Sequence, residues 1–232
     1  FLGAAVHARR NLVISGGTGT GKTTLLRALI NEIDADERIV TVEDNLELGI
    51  SRFGDAHPNL VECESRSENI EGIGGISMSD LVVASLRMDP DRIIVGECRG
   101  AETVPMLLAM SQGNEGSMTS IHADSSKNVF NRIITYAATL AQPPIDPRHA
   151  MLLIRDAVHF VVHLSFADGR RVIQSIREVD PTSEENMLST EVFAPGSGGL
   201  AEPAFGLSGR SHIQALAHHG FDAQWAAGGV MS

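Results

Sequence analysis

The sequence contains very little cysteine and lysine, and both shortages narrow the class of protein. Cys63 and Cys98 are the only cysteines among 232 residues, and they lack metal or redox spacing. Two isolated thiols favour the reduced state of a cytosolic protein over a disulfide framework. Lys22 and Lys127 are the only lysines, so arginine carries almost all of the positive charge. Arginine suits bidentate contacts with phosphate or carboxylate, although genomic composition explains the ratio equally well.

The chain also lacks a long apolar run and an excess of positive charge. The strongest candidate for a membrane span, residues 151–166, is interrupted by Arg155, Asp156, His159 and His163. The net charge of −11 argues against a nonspecific grip on nucleic acid, which needs a basic surface. A hydrophobic content of 43% and a charged content of 20% are ordinary for a soluble globular protein.

The most informative segment is residues 16–23, which reads GGTGTGKT and matches the phosphate-binding loop pattern GxxxxGK[ST]. Its glycines let backbone N–H groups turn inward around a di- or triphosphate. Lys22 supplies an ammonium group for the β- and γ-phosphates, and the Thr23 hydroxyl can ligate Mg²⁺. The motif follows a strand-like run and opens a helix-like segment, which is the setting that it requires. The sequence therefore predicts a nucleotide site rather than an ordinary strand-to-helix turn.

Strand-like and helix-like segments alternate from Asn11 to about Leu140, the pattern of a parallel sheet with crossover helices. Predicted strands cover residues 11–15, 38–43, 60–63, 92–96 and 117–121. Predicted helices cover residues 24–30, 77–88, 101–111 and 126–140. We therefore predict an α/β fold with a RecA-like P-loop NTPase core over residues 1–142 and a mainly parallel sheet.

The pattern changes after Gln142. Residues 158–166 and 171–178 flank Asp168-Gly169, a strong hairpin signal, and residues 188–193 suit a third strand. We predict a small C-terminal extension, a helix with a β-hairpin, over residues 143–194. Residues 194–209 are rich in Gly, Pro and Ser, which predicts a linker. Residues 195–232 are thus expected to form a flexible tail with a short helix at 211–219.

Two strand ends carry candidate carboxylates. Nucleotide hydrolysis needs one acid to orient water and a second in the Mg²⁺ shell, at the C-terminal ends of strands beside the loop. Glu97 directly follows the predicted strand 92–96 and is the leading candidate for the water-polarising base, while Gly96 stands where many P-loop ATPases have Asp. Glu43 ends the strand 38–43, and Asp44 and Glu47 follow it. Their spacing alone leaves a metal site and a solvated acidic loop equally open.

Histidines and arginines provide further candidates with two interpretations each. His122 follows the strand 117–121 and is either catalytic or a hydrogen-bonded structural residue. His159 and His163 lie on one face of a strand without a third metal ligand, so we interpret them as structural. Three arginines are either phosphate contacts or members of surface ion pairs. They are Arg66, Arg87 and Arg99.

Four segments in order resemble the motifs of one family, the type II/IV secretion ATPases. After the phosphate-binding loop, residues 42–48 (VEDNLEL) resemble its acidic Asp box. Residues 91–100 (DRIIVGECRG) are similar to its atypical Walker B strand, which also has Gly before Glu. Residues 117–123 (SMTSIHA) resemble its His box. Residues 69–72, 80–82 and 85–88 point to the branch that serves tight-adherence (Flp) pili. The similarity covers about residues 1–140 and weakens afterwards.

This resemblance implies an ATP hydrolase that drives pilus assembly or protein secretion. The family works as a cytoplasmic homo-hexamer, peripheral at the inner membrane, with ATP and Mg²⁺ as cofactors. Polytopic inner-membrane platform proteins are the implied partners, and no direct nucleic-acid contact is expected. The family's N-terminal domain is expected to be missing, because the chain starts at Phe1 and enters its first strand almost at once. Such a chain is expected to bind ATP weakly.

The resemblance also implies roles for individual residues. Thr23, Glu43 and Glu97 would hold the metal, and Glu97 would be the catalytic acid. His122 would lie near the γ-phosphate, and Arg66 and Arg99 match arginines near the nucleotide or the subunit interface. The residues implied to bind the nucleotide are Gly16, Gly17, Thr18, Gly19, Thr20, Gly21, Lys22, Thr23 and Thr24.

Three positions depart from the family pattern, and two other functions stay open. The family usually has basic residues at the places of Ser79, Val83 and Asp89, so some phosphate or interface contacts are missing or replaced. One alternative function is a RecA-like nucleic-acid translocase or conjugation-associated ATPase. The other is a nucleotide-binding scaffold that no longer hydrolyses, which ranks last because Glu97 and His122 are present.

Overall fold

The structure, a computed structural model, describes residues 1–54, 56–180 and 188–222. The strands are β1 (Leu12–Gly16), β2 (Ile39–Glu43), β3 (Leu60–Glu64), β4 (Arg92–Cys98), β5 (Met118–Ile121), β6 (Phe160–Ala167), β7 (Arg170–Asp180), β8 (Leu188–Pro195) and β9 (Ala201–Pro203). The helices are α1 (Leu2–His7), α2 (Lys22–Ile30), α3 (Met78–Ser85), α4 (Thr103–Ser111), α5 (Asn128–Thr139), α6 (Pro147–Ala157) and α7 (Arg210–His218), with a 3₁₀ turn at Ile50–Phe53.

Within the described residues, nine strands form one sheet in the order β3-β2-β4-β5-β1-β6-β7-β8-β9. The strands from β3 to β6 in this order pair in parallel, and β6 to β9 pair antiparallel. The predicted α/β class with a mainly parallel sheet is therefore confirmed. The predicted extension is continuous with the core, because β6 pairs directly with β1 and places Leu164 opposite Gly16. The loop that follows β1 thus lies between the ends of β5 and β6.

Apolar side chains cover both faces of the sheet, as parallel strands with crossover helices require. Alternate residues of β1 point to opposite faces: Leu12 and Ile14 pack with α1, α2 and α7, whereas Val13 packs with α3, α4, α5 and α6. Helices on both faces bury the sheet and leave its strand ends free to form a site. Within the described ranges, no helix is both long and apolar enough to span a membrane.

The C-terminal segment corrects the predicted linker and tail. Residues 194–209 include the end of β8 and the whole of β9, which extend the sheet. Helix α7 then buries Leu216 completely, and the ring centroid of Phe221 lies 5.2 Å from that of Phe1. The prediction of a flexible linker over residues 194–209 is wrong, because these residues include strand residues of the sheet, whereas the predicted short helix at 211–219 is present as α7. The rest of the predicted tail, residues 223–232, lies outside the described residues.

A buried carboxylate provides the main anchor of this segment. Glu178 of β7 is fully buried and accepts hydrogen bonds from the backbone N–H and the hydroxyl of Ser208, and from the N–H of Gly209. Its Oε1 also lies 2.8 Å from Nδ1 of His212 in α7. Burial acts to raise the pKa of Glu178, but the hydrogen bonds from His212, Ser208 and Gly209 outweigh it and the pKa is lowered. The sheet and α7 are therefore joined through one ionised side chain.

Candidate active site

The phosphate-binding loop connects β1 to α2 and depends on glycine at two positions. One position leaves no space for a side chain, and the other has a left-handed backbone conformation. A Cβ atom at Gly16 would lie 2.6 Å from the carbonyl oxygen of Leu164 and 2.6 Å from the hydroxyl of Thr20. Gly21 is the N-cap of α2 with φ of 98°, a left-handed conformation that favours glycine. No side chain caps the N-terminus of α2. Its free N–H groups are therefore available to an anion, as in other phosphate-binding helices.

Two backbone carbonyl groups of the loop hold the side chain of Lys22 in place. Its Nζ donates to the carbonyl oxygens of Gly16 and Gly17, both at 3.1 Å, and only 11% of the side chain is exposed. Oε1 of Glu97 lies 3.9 Å from the same ammonium group. The structure therefore brings the predicted phosphate cation and the predicted catalytic acid to the same point.

A cavity of about 320 Å³ opens at the C-terminal ends of β2, β4 and β5, beside the loop. This is where open α/β sheets bind their ligands, and the volume suits a small molecule. The cavity is lined by Thr18, Gly19, Lys22, Thr23, Glu43, Asp44, Asn45, Glu47, Met78, Gly96, Glu97, Arg99, Glu102, Ser120 and His122. Ten of these were candidates for catalytic, metal or nucleotide contacts: Thr18, Gly19, Lys22, Thr23, Glu43, Asp44, Glu47, Glu97, Arg99 and His122.

Glu43, the last residue of β2, is a buried acid with one oxygen unpartnered. The residue is 3% exposed, and its Oε1 accepts hydrogen bonds from the N–H groups of Glu47 (3.1 Å) and Leu48 (2.9 Å). Its Oε2 is buried without a hydrogen-bond partner. Burial raises the pKa of Glu43, the two backbone hydrogen bonds oppose the rise, and the charges of Glu62 and Glu47 add to it. A buried acceptor without a partner suits a site that a cation completes.

The structure explains why glycine stands at position 96. A Cβ atom there would lie 3.0 Å from Cγ of Glu43 and 3.2 Å from its Oε1. The Glu43 side chain therefore occupies the space that an Asp at position 96 would need. The neighbouring strand β2 therefore places the carboxylate of Glu43 beside the position at which an ordinary Walker B strand has its Asp.

Replacing Gly96 by alanine should displace Glu43. Crowding of this kind costs about 1–3 kcal/mol in a packed site, so we expect a lower free energy of unfolding and a several-fold rise in the Mg²⁺ concentration that supports half-maximal hydrolysis. Urea unfolding and Mg²⁺ titration measure the two effects. Gly198→Ala is the matched control, because its added methyl group would meet only ordinary contact with Leu200 at 3.8 Å. Equal behaviour of the two variants would contradict the packing explanation.

Glu97 and His122 approach the cavity from adjacent strands. Glu97 lies where the pairing of β4 with β5 shifts between Val95 and Cys98, an irregularity of the kind that re-aims side chains beside active sites. Its side chain is 42% exposed. The Ser120 hydroxyl of β5 donates to the carbonyl oxygen of Gly96 at 2.7 Å and ties the two strand ends together. His122 follows β5 directly, is exposed and lines the cavity.

Arg99 and its neighbours form the rim of the cavity. The guanidinium group of Arg99 is paired with the carboxylate of Asp44, across the mouth of the site. Glu102 is buried and accepts hydrogen bonds from the N–H groups of Arg99 (2.6 Å) and Gly100 (2.7 Å), which fixes the turn after β4. Motif reasoning overlooked Glu102 and Ser120. The only signal for either was its distance in the sequence from a predicted site residue: Glu102 lies five residues after Glu97, and Ser120 lies two residues before His122.

Some predicted residues are not brought to the cavity. Arg66 lies in the loop after β3, where its Nε donates to the carbonyl oxygen of Gly74 at 2.7 Å, and Arg87 and Thr24 are exposed outside the cavity lining. The two strand-face histidines are hydrogen-bonded core residues: Nδ1 of His159 accepts from the N–H of Asn11, and Nδ1 of His163 lies 2.9 Å from the Ser15 hydroxyl. Burial lowers the pKa of His159 to about 3, so it stays neutral. Both agree with the structural interpretation.

The residues present fit Mg²⁺ bound together with a nucleotide. Thr23, Glu43 and Glu97 offer oxygen atoms at one end of the cavity, and Oε2 of Glu43 lacks a partner. Among the residues that the structure describes, no cluster of three His, Cys, Asp or Glu side chains could hold a metal by itself. Mg²⁺ usually binds through one or two carboxylates together with phosphate oxygens and water.

Comparison with known proteins identifies the family of the chain. The family model for type II/IV secretion system proteins matches residues 1–191. Protein VirB11 of Agrobacterium fabrum is 36% identical over 163 residues, which are 70% of this chain and 46% of its own length. A protein of Mycobacterium tuberculosis (strain CDC 1551 / Oshkosh), provisionally named for conjugal transfer, is 48% identical over 128 residues, 55% of this chain and 35% of its own.

A solved structure extends the likeness to three dimensions. The crystal structure of the VirB11 ATPase from the Brucella suis type IV secretion system, in complex with sulphate, superposes with a TM-score of 0.66 at 32% identity. The match covers 75% of this chain and 50% of that one. The chain thus spans half or less of the relatives that it matches. Because the family model covers most of its length, from α1 into β8, the chain belongs to the type II/IV secretion system protein family.

Proposed function

We propose that this chain is the nucleotide-hydrolysing part of a motor that uses ATP to drive secretion or pilus assembly. The observation that carries the proposal is the cavity in which Lys22, Thr23, Glu43 and Glu97 meet beside a glycine-rich loop. Membership of the type II/IV secretion family supports the same conclusion from most of the chain. The choice of ATP over other nucleotides follows from that family.

The residues divide the work by position. The backbone N–H groups of the loop and the Lys22 ammonium bind the β- and γ-phosphates. Thr23 and Glu43 would hold Mg²⁺, and the metal would supply positive charge beside the phosphates. Glu97 orients the attacking water and accepts its proton, and it is released from Lys22 when phosphate takes the ammonium as its partner. His122 donates a hydrogen bond near the γ-phosphate from the end of β5.

The charge of the cavity supports an assembly of several subunits. Five carboxylates line it, those of Glu43, Asp44, Glu47, Glu97 and Glu102, against two cations, Lys22 and Arg99. A triphosphate is strongly anionic, so this lining is short of positive charge even with Mg²⁺. A homo-hexamer would supply the missing cations across its interfaces, and Arg66, which is exposed and outside the cavity, is available to a neighbouring subunit's site.

The machine is proposed from the family and from the sequence motifs. Type II/IV secretion ATPases act at the cytoplasmic face of the inner membrane, on polytopic platform proteins, and we propose the same partners here. The residues quoted above for the tight-adherence (Flp) branch favour a pilus of that type. Genes for platform proteins and small pilins beside the gene for this chain would support the assignment, and their absence would count against it.

The proposal is tested by ATP hydrolysis at several protein concentrations. We expect turnover that requires Mg²⁺, is abolished by EDTA, and rises per subunit between nanomolar and micromolar protein as subunits associate. Sedimentation analysis of the same samples should follow the increase. Equal turnover per subunit across this range would contradict a shared site, and an absence of any nucleotide binding would contradict the proposal as a whole.

A second candidate is a motor of DNA conjugation, favoured by the relative that is provisionally named for conjugal transfer. If the chain itself moved DNA, it would contact nucleic acid directly. The net charge of −11 opposes such contact. Fluorescence anisotropy with single-stranded DNA separates the two proposals: tight, salt-dependent binding would favour the second candidate.

A further inference from the structure

The β6–β7 hairpin reaches the phosphate-binding loop through one arginine. Nε of Arg171, the second residue of β7, donates a hydrogen bond to the carbonyl oxygen of Gly19 at 2.7 Å. Its Cδ atom lies 3.3 Å from the place that a Cβ atom on Gly21 would take. The side chain therefore lies against residues 19–21 of the loop, and Gly19 also lines the cavity.

Contacts within the β6–β7 hairpin hold Arg171 in this position. Phe166 of β6 is its cross-strand partner, and the guanidinium carbon lies 5.9 Å from the centroid of the Phe166 ring. Such cation–aromatic contacts are favourable. Strand β6 in turn pairs with β1, which leads into the loop. The hairpin and the loop thus form one connected unit, although Arg171 and Gly19 are 152 positions apart in the sequence.

This contact fixes the orientation of one peptide group. In a planar trans peptide, the C=O of one residue and the N–H of the next point in opposite directions. When the Gly19 carbonyl is turned toward Arg171, the N–H of Thr20 points away from the hairpin. Gly19 has φ of 74°, a conformation that a flexible glycine leaves readily without an outside partner. The guanidinium group offers several N–H donors in a rigid planar arrangement, which suits a fixed contact with a carbonyl oxygen.

We propose that Arg171 is a positioning residue for nucleotide binding, which acts by holding the Gly19–Thr20 peptide with its N–H toward the phosphates. The inference rests on the proposed function, since it assumes that the loop binds a nucleotide. The antiparallel β6–β7 hairpin contains none of the family's sequence motifs. The inference gives this hairpin a direct part in the geometry of the site. Because both di- and triphosphates use this loop, the effect is the same for ADP and ATP.

The test compares Arg171→Gln, Arg171→Lys and the control Arg170→Gln. Arg170 is exposed and precedes Arg171, so its side chain leaves the opposite face of the strand. Fluorescent ADP and ATP analogues measure affinity, and hydrogen exchange of residues 16–23 in the nucleotide-free protein measures the loop itself. We expect Arg171→Gln to weaken both nucleotides about five- to tenfold and to accelerate exchange, since a hydrogen bond from a charged group is lost. Arg171→Lys should recover part of both effects, and Arg170→Gln should change neither.

Each result bears on the inference. Loss of ATP affinity alone, with unchanged exchange, would mean that Arg171 contacts the γ-phosphate and would overturn the positioning role. Unchanged affinity for both nucleotides would overturn it too, as would a lysine variant no better than glutamine. If the wild-type protein bound neither analogue, the proposed function would fail and this inference with it. If the wild-type protein bound both analogues and Arg171→Gln bound them with the same affinity, only this inference would fail and the proposed function would stand.

Discussion

Glu97→Gln should slow ATP hydrolysis by about 10²–10³-fold while ATP stays bound with nearly unchanged affinity. Glutamine keeps the shape of the side chain and can still approach Lys22, which lies 3.9 Å from the present carboxylate. It cannot accept a proton from water. The chemical step is therefore lost while the phosphate contacts of the loop remain.

Single-turnover hydrolysis and equilibrium binding, measured on the same preparation, separate the two effects. Glu71→Gln is a suitable control, because it makes the same change at an exposed loop position outside the cavity lining. Its turnover should match that of the wild type. Wild-type turnover in Glu97→Gln would remove Glu97 from the mechanism and leave the base unidentified.

Lys22→Ala should instead weaken the binding of ADP and ATP. The Nζ atom is nearly buried between two loop carbonyls, and truncation of the side chain to alanine leaves the phosphates without their central cation. Hydrogen bonds to charged groups contribute about 1.5–3 kcal/mol each, and two such contacts correspond to a loss of at least about 100-fold in affinity for ADP and ATP.

Lys127→Ala is the matched control for this variant. Lys127 is the only other lysine, and it is exposed at the N-terminal end of α5, outside the cavity lining. Isothermal titration of both variants with Mg·ADP and Mg·ATP measures the difference. Nucleotide affinity equal to that of the wild type in Lys22→Ala would place the phosphates elsewhere.

Local chemistry explains which parts of the fold were predictable. The strand-loop-helix setting of residues 16–23 is contiguous in sequence, and so is the Asp168-Gly169 turn, whose two residues both have positive φ. Helix α3 begins where predicted because Ser77 and Asp80 form a capping box. It ends at Ser85 rather than Met88, because helix composition does not specify the last turn.

Contacts between distant residues explain what was missed. The tail was predicted as flexible from its Gly, Pro and Ser content, but its attachment depends on Glu178 and His212, 34 positions apart. The link from Arg171 to Gly19 is equally invisible to motif reasoning. The reason for glycine at position 96 was predictable only in part. The sequence displayed a glycine in place of an acid, but only the neighbouring strand explains it, since Glu43 fills the space.

A crystal structure of Glu97→Gln with ATP and Mg²⁺ tests the central claim most directly. We predict that the γ-phosphate will lie between the glycine-rich loop and the side chain at position 97. Lys22 should have left the carboxamide for the phosphate, and Oε2 of Glu43 should be coordinated through the metal or its water. A triphosphate bound away from residues 16–23, or with position 97 turned out of the cavity, would contradict the account.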